Sequence, residues 1–399
     1  MRDGWLETTL GDVAEWWSGG TPKAREPKYY ENGTIPWAVI ADMNKGIIDS
    51  TNSYITKEGL ELIGGRLAPV GSVLISMYAS VGKSAIANIP LATNQAIAWS
   101  IPNQKKIIPF YLYLVSQQLE EEISDLARGA TQRNINRQML REFTFQLPPL
   151  PEQKRIVDLI SSADSYIEAL QQQLDSVKRS RNAVLHELLT VGGDDWVETT
   201  IGEVVSVVNG GTPSTKSEDY WGGSIVWITT TELTAFDGKR VNSSKRTITV
   251  DGLRNGPARL VRAGTTLVGT TATIGTCALA DCELTFNQQI SGLIPLDKDL
   301  DDSYLFYWIQ HIKSILEGLS AGTSFKRIST SVLKTVSINF PPIGEQKRIA
   351  AVISEMDEFI ESIQRTSIEA KNLRSGLLSD LLSGTHEIPV TYDKAMGPA

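Results

Sequence analysis

The chain has 399 residues, with 38 Lys and Arg against 46 Asp and Glu, 41% hydrophobic and 7% aromatic side chains, two cysteines and three histidines. That length predicts two or three domains, each able to bury a core without disulfides, and two cysteines are too few for a structural zinc site or a disulfide framework, so a reducing cytoplasm is expected. No run approaches the roughly 18 apolar residues of a membrane helix, Met1-Arg2-Asp3-Gly4-Trp5 lacks a signal-peptide core, and a net charge of −8 argues against nucleic acid unless a local basic stripe overrides it.

In chain order, Trp5–Val13 reads W-L-E-T-T-L-G-D-V, followed by G-G-T-P at Gly19–Pro22 and I-P-W at Ile35–Trp37. Short Val/Ile/Thr-rich runs between Gly, Pro, Asn and Thr predict strands, such as Gly71–Ser76. One helix is expected near Phe110–Leu126. The texture then changes at L-P-P-L-P-E-Q-K-R-I, Leu147–Ile156. A long helix should start near Glu152, with Pro151 suited to its first turn, and stop at Gly192-Gly193.

The whole pattern then recurs. W-V-E-T-T-I-G-E-V at Trp196–Val204 keeps six of nine residues, and G-G-T-P returns at Gly210–Pro213. Ile225-Val226-Trp227 answers I-P-W, and Thr265–Gly269 answers the strand at Gly71. Gly71, Gly82, Asn94 and Gln95 match Gly264, Gly275, Asn287 and Gln288 at a shift of 193, as Leu147–Ile156 matches F-P-P-I-G-E-Q-K-R-I at Phe340–Ile349. The second inner helix is expected at Ser303–Leu316, and Gly384 ends the second long helix. Two copies of one unit thus fill residues 5–190 and 196–383.

The long helices carry a seam. Ile156, Ala163, Leu170, Val177 and Val184 recur every seven residues, interleaved with Ile160, Ile167, Leu174 and Leu188. The second copy offers Ile349, Met356, Ile363, Ala370 and Leu377, with Ile353, Ile360 and Leu381. Such a repeat predicts a coiled coil. Arg181 and Arg374 interrupt it at one shared position, and Ser367 replaces Leu174. Three roles stay open for these arginines: fixing register, facing an acidic partner, or snorkelling along the seam edge.

Each head precedes its own helix, and the linker Val191–Asp195 is too short to retrace a rod of about 55 Å at ~1.5 Å per residue. An antiparallel pair follows, with inverted heads at opposite ends. The expected class is α+β: two strand-rich globular domains separated by two long helices forming an antiparallel coiled coil, as a pseudo-two-fold tandem repeat. The boundaries read from sequence are 1–147 and 192–340 for the globular domains, 148–191 and 341–384 for the helices, and 385–399 for a tail.

No chemistry-bearing motif emerges. Gly82-Lys83-Ser84 lacks the phosphate-loop glycine, since Met77 stands five places earlier. In Asn339-Phe340-Pro341-Pro342 a phenylalanine separates the amide from the prolines of an amino-methyltransferase site, and no G-x-G turn able to hold S-adenosylmethionine occurs. His186, His311 and His386 lie scattered along the chain, offering neither a metal trio nor a nucleophile triad.

The charge objection is overturned before each Pro-Pro. Arg128–Arg141 holds four arginines and no acid, and Gly322–Lys334 three cations and no acid. Mixed Arg, Lys, Thr, Gln and Asn can neutralise phosphates and read base edges. In the first head the candidate contacts are Arg128, Thr131, Gln132, Arg133, Asn134, Asn136 and Arg137, with Tyr78, Ser80 and Lys83. In the second they are Thr323, Ser324, Phe325, Lys326 and Arg327, with Thr271 and Thr273. Lys23 and Lys216, just after G-G-T-P, are counted with them. Residues identical in both copies, including Asn94-Gln95, read as scaffold, with Asn-Gln tying a loop. Those that differ at matching places are the discriminating ones.

This order of motifs, duplicated, resembles the specificity subunit of type I restriction-modification systems, over residues ~5–383. Gly322-Thr-Ser-Phe in place of G-x-T-Q, and F-P-P-I-G in place of L-P-P-L-P, are its small departures. The resemblance implies a chain that is not itself an enzyme: each head is a target recognition domain for half of a bipartite, asymmetric double-stranded DNA site, and the helices dock two methyltransferase subunits. S-adenosylmethionine is then expected on the methyltransferase, ATP and Mg on a restriction subunit, and neither cofactor nor membrane for this chain. The alternatives are a free-standing DNA-binding regulator, or a nuclease or transferase with an unrecognised site.

Overall fold

A computed structural model of the chain describes residues 4–129, 134–320, 327–389, 391 and 392. It divides into two compact units, residues 1–171 with 366–399, and residues 172–365. Both boundaries fall inside the long helices, so each unit contains part of each.

In the first unit, Leu6–Thr9 pairs antiparallel with Thr144–Leu147, closing the head at its base. A five-stranded sheet runs in the order Ala14–Ser18, Ile97–Pro102, Val73–Ser76, Ser84–Ala87, Ile47–Ile48. Ile35–Ala38 centres a three-stranded sheet between Tyr54–Ile55 and Ala92–Thr93. The second unit repeats these orders, with Val197–Thr200 against Ser337–Phe340 at its base. Its five-stranded sheet is Val205–Asn209, Ile290–Pro295, Thr266–Gly269, Cys277–Ala280, Lys239–Val241.

Both faces of each five-stranded sheet are covered, which explains the unbroken apolar strand runs. Val73 and Ile75 point into the core shared with the helices, while Leu74 between them points into a second core. Val268 and Leu267 divide in the same way in the second unit.

The single inner helix expected in each head is two. Pro109–Gln118 is followed by Glu120–Gly129, and Asp302–His311 by Lys313–Leu319. The first of each pair is sunk in the head, with Tyr111–Ser116 and Tyr304–Ile309 buried throughout. The second is amphipathic, and the bend at buried Leu119 and Ile312 keeps residues such as Ile123 and Leu316 against the core.

The long helices span Leu150–Thr190 and Ile343–Leu382, 41 and 40 residues. In the first unit Ile156 and Ile160 share a core with Leu378, Leu381 and Leu382, and Asp164 meets Arg374. In the second, Leu185 and Leu189 share one with Ile349 and Ile353, and Arg181 meets Asp357. Numbers rise on one helix as they fall on the other, so the segments pair antiparallel within each unit. The expected seam holds over Ile156, Ile160, Leu170 and Leu174, with Ala163, Ile167 and Val177 half-buried. It then slips: Leu185 and Leu189 are buried where Val184 and Leu188 were expected and are only half-buried. A 3.6-residue helix drifts from a seven-residue repeat, and here the buried face turns toward the head. In the second helix Ile349, Ile353, Ile360 and Ile363 are buried and Met356 is half-buried.

Gly384, at φ +72°, ends the second helix in the left-handed region, with the Thr385 amide donating to Asp380 O. Beyond it Ile388 is buried in the first unit's core and Tyr392 packs against that core, so the expected tail begins as part of the fold. No described helix is long and apolar enough to cross a membrane.

Candidate nucleic-acid interface

The motifs shared by both copies lock onto one another. In the first head the Gly20 amide donates to Thr93 O, and Trp37 Nε1 donates to Gly20 O at 3.1 Å. In the second, Gly211 and Trp227 do the same with Phe286 O and Gly211 O. Asn94 Oδ1 accepts from the Ala96 amide and Asn287 Oδ1 from the Gln289 amide, both at 3.1 Å, so the asparagines build turns as expected. Only glycine fits against these turns: a Cβ on Gly19 would lie 2.2 Å from Asn94 O, and one on Gly210 would lie 2.1 Å from Asn287 O. Gly19→Ala or Gly210→Ala is expected to destabilise its head by about 3 kcal/mol, the upper end for overpacking against backbone. Urea unfolding of each variant checks this.

Against that scaffold, two polar segments meet at the end of the third and fourth strands of the five-stranded sheet. The first is the hairpin loop joining Val73–Ser76 to Ser84–Ala87, with its counterpart between Thr266–Gly269 and Cys277–Ala280. Ala79 and Ala272, at equivalent places, hold φ +59° and +64°, a region costly for a residue with a Cβ. The second is the middle of the basic segment, bonded to the loop by the backbone: Ile135 N to Met77 O at 3.2 Å, and Ile328 N to Thr270 O at 2.9 Å. Arg327 further bridges to Thr271. Tyr78 and Ser80 are thereby held near Asn134, and Thr271 and Thr273 near Arg327, a grouping invisible to sequence spacing.

The candidate residues differ in how free they are. Tyr78, Ser80 and Arg327 are exposed, while Thr271 and Thr273 are half-buried. Lys83 donates to Asn44 Oδ1. Asn136 spends its side chain as a helix cap, accepting from the Met139 amide at 2.9 Å, as Ser329 does from Val332 in the second head. Arg137 and Arg141 line an open groove of about 890 Å³ with Thr9, Asp12, Ser18 and Asn136. Within it the Asp12 carboxyl is held below its ordinary value, chiefly by the Thr9 hydroxyl and amide. Arg128 is exposed and paired with Asp125 at 2.9 Å. Lys23 pairs with Glu26 at 3.5 Å, and exposed Lys216 follows the second G-G-T-P; the bonds joining loop to basic segment include neither. Thr131, Gln132, Arg133, Thr323, Ser324, Phe325 and Lys326 lie outside the described residues.

Three features escaped the sequence reading. The second head carries Lys239, Arg240, Lys245 and Arg246 exposed within eight residues that hold no acid, where the first has Ile47-Ile48-Asp49-Ser50. Arg246 lies over the Trp221 ring at 3.6 Å. That run of charge was visible but had no counterpart to draw attention to it. Gln153 and Gln346, the glutamines of E-Q-K-R-I, are fully buried. Gln153 accepts from the Ile108 amide at 2.9 Å and donates to Lys106 O and Pro148 O, and Gln346 does the same with Asp301, Asp299 and Pro341. Finally, His186 and His311 are not scattered: their rings lie 5.3 Å apart, and burial, then the other histidine, depresses the His311 pKa. Among the described residues no group of three or more His, Cys, Asp or Glu could hold a metal.

The arginines of the seam are spoken for. Arg181 makes a bidentate pair with Asp357 at 2.9 and 3.0 Å, and Arg374 with Asp164 at 2.9 and 3.1 Å. Both sides of each pair lie within the chain, which sets aside the snorkelling role and favours fixed register.

A family model described as the type I restriction modification DNA specificity domain matches residues 2–179 and again 193–372, one match per copy of the repeat. The type I restriction enzyme StySPI specificity subunit of Salmonella potsdam is 22% identical over 423 aligned positions, covering 96% of this chain and 88% of that one. The MjaIX specificity subunit of Methanocaldococcus jannaschii is 35% identical over 170 residues, 42% of this chain and 39% of its own. Among solved structures, an S subunit of a type-I restriction-modification system from M. genitalium shares the fold with a TM-score of 0.58 at 12% identity, covering 98% of both chains. A chain solved in work on complex assembly and conformational transition of the type I R-M system gives 0.66 at 18%, covering 96% of this chain and 98% of that one. Family membership implies DNA and the modification and restriction subunits as partners, with methylation and cleavage carried by those partners. Two matches covering both copies of the repeat place this chain in the type I restriction-modification specificity family, as a DNA-recognition subunit with two target recognition domains and no catalysis of its own.

Proposed function

We propose that each head reads one half of a bipartite DNA site, and that the half-sites differ because the residues facing them do. The observation that carries this is the junction of hairpin loop and basic segment, built twice on one backbone with different letters: Tyr78-Ala79-Ser80 against Thr271-Ala272-Thr273, and Asn134 against Arg327. A shared scaffold with divergent tips suits two readers of different sequence. Phosphate contacts from Arg137 and Arg327 position each head, while base edges fall to the loop tips and the segment between. The two half-sites are then expected about one helical turn, ~34 Å, apart on the duplex. Residues 1–147 and 192–340 serve as the recognition domains, 148–191 and 341–384 as spacers, and the complex acts in the cytoplasm.

The test is a chimaera. Replacing residues 1–145 by the head of another such chain, in a complex with its methyltransferase, should change one half-site in a methylome and leave the other intact. A change in both half-sites sinks independent reading. Methylation or cleavage by the chain alone would favour the enzyme reading, and DNA binding without any partner in the purified complex would favour the regulator.

We further propose two methyltransferase copies, one on each helix pair. Tyr166 and Phe359 occupy equivalent places on the two long helices and are 53% and 49% exposed. Aromatic side chains so exposed at one repeated position suit anchors for a partner. Phe359→Ala is expected to remove one copy, and the double variant with Tyr166→Ala both, while the chain stays folded. Native mass spectrometry of the co-purified complex checks the count.

A further inference from the structure

Each seam arginine has a third contact that pairing the helices does not require. Arg181 Nη2 also donates to Gln310 Oε1 at 2.8 Å, and Arg374 Nη2 to Gln117 Oε1 at 3.2 Å. Gln310 and Gln117 are the penultimate residues of the inner helices Asp302–His311 and Pro109–Gln118. The other end of each inner helix is tied by the buried glutamines: Gln153 accepts from Ile108, the residue before Pro109, and Gln346 from Asp301, the residue before Asp302.

Each inner helix is therefore fastened at both ends, and to both long-helix segments of its unit. In the first unit Gln153 lies on the first long helix and Arg374 on the second; in the second unit Gln346 lies on the second and Arg181 on the first. Apolar packing between head and helices is non-directional, so it resists separation better than rotation. One polar tether would leave a hinge, whereas two at opposite ends of a ten-residue helix fix an angle. The guanidinium suits this because its planar fork, already held by a carboxylate on two nitrogens, presents its remaining donors in fixed directions.

We propose that Gln117 and Gln310 are positioning residues that set the angle of each recognition domain on its helix pair, and so the spacing between half-sites that the complex accepts. This rests on the two-half-site reading above. The mechanism needs no contact with DNA: a head free to turn about the surviving tether brings its loop tip to neighbouring base pairs at little cost, so discrimination between gap lengths falls while base choice stays.

The experiment uses the whole complex with its methyltransferase. Methyl transfer from S-adenosylmethionine is measured on duplexes carrying both half-sites at the native gap and at gaps one base pair shorter and longer. The ratio between duplexes is read within one sample, so it does not depend on how much protein is folded. With Gln117→Leu and Gln310→Leu together, the off-gap to native-gap ratio should rise about tenfold, the factor that ~1.4 kcal/mol of lost discrimination gives. Gln117→Glu with Gln310→Glu, which keeps an acceptor, should stay as narrow as wild type. If the leucine pair does not assemble, the alanine pair takes its place with the same expected rise. An unchanged ratio in an active leucine or alanine variant overturns the proposal, as does a rise accompanied by altered base preference. A wild-type complex indifferent to gap length would instead overturn the two-half-site reading on which it rests.

Discussion

A four-residue insertion in each long helix, after Gln171 and after Arg365, should lengthen the accepted gap between half-sites by ~1–2 base pairs. Four helical residues add about 6 Å of rise, against ~3.4 Å per base pair. The pairing within both units shows why both must change: lengthening one alone would carry Arg181 past Asp357 or Arg374 past Asp164. These positions are the boundaries of the two units, so neither clamp nor any head contact described above is cut. Four residues also turn a helix through about 40° beyond a full turn at 3.6 residues per turn, a rotation the ~1–2 added base pairs of duplex partly absorb. Methylome sequencing reads the outcome, and an active variant with its original gap would mean that the helices do not measure the distance.

The second large effect is on stability. Asp357→Ala leaves Arg181, whose side chain is 10% exposed, with its charge buried and two of its three hydrogen bonds gone. Breaking a buried pair from one side costs about 3–5 kcal/mol, and here the lower end is expected because the aspartate itself is 29% exposed. Asp164→Ala should cost less, since that carboxylate is 41% exposed and its arginine 17%, so water already screens the pair. Replacing both members in the second unit, Arg181→Met with Asp357→Leu, should recover most of the loss, because apolar packing substitutes well for a buried ion pair. Denaturant melts of the four proteins give the order: wild type close to the double variant, then Asp164→Ala, with Asp357→Ala lowest. A double variant no more stable than Asp357→Ala would mean that the arginine's own contacts, not the relief of its unpaired charge, hold the second unit's helix pair together.

The repeat made much of this fold readable from letters alone. Identity between copies pointed to the scaffold, and the contacts explain why: G-G, the tryptophan of I-P-W and the asparagine of N-Q are identical in both heads because they meet each other, and a change in one would have to be met in the others. The helix pair was legible because a seven-residue rhythm survives where two helices face only one another. It was misread at Leu185 and Leu189, where a third surface, the head, competes for the apolar face. The inner helices were read as single because a bend at Leu119 or Ile312 leaves no glycine or proline behind. For the candidate interface, charge content identified the basic segment, but pairing it with the hairpin loop needed the backbone bonds of Ile135 and Ile328, which join residues more than fifty positions apart. The arginine clamps were visible as flaws in the seam; their acceptors, on another helix and on the head, were not.

One consequence concerns how the protein is made. The second unit is a single stretch, residues 172–365, whereas the first joins residues 1–171 to residues 366–399. A chain leaving the ribosome can complete the later unit while the earlier one still lacks the strand of helix that covers Ile156 and Ile160. Premature termination anywhere before Leu378 would leave that greasy flank open to proteases and to aggregation, even in a chain that already carries both heads.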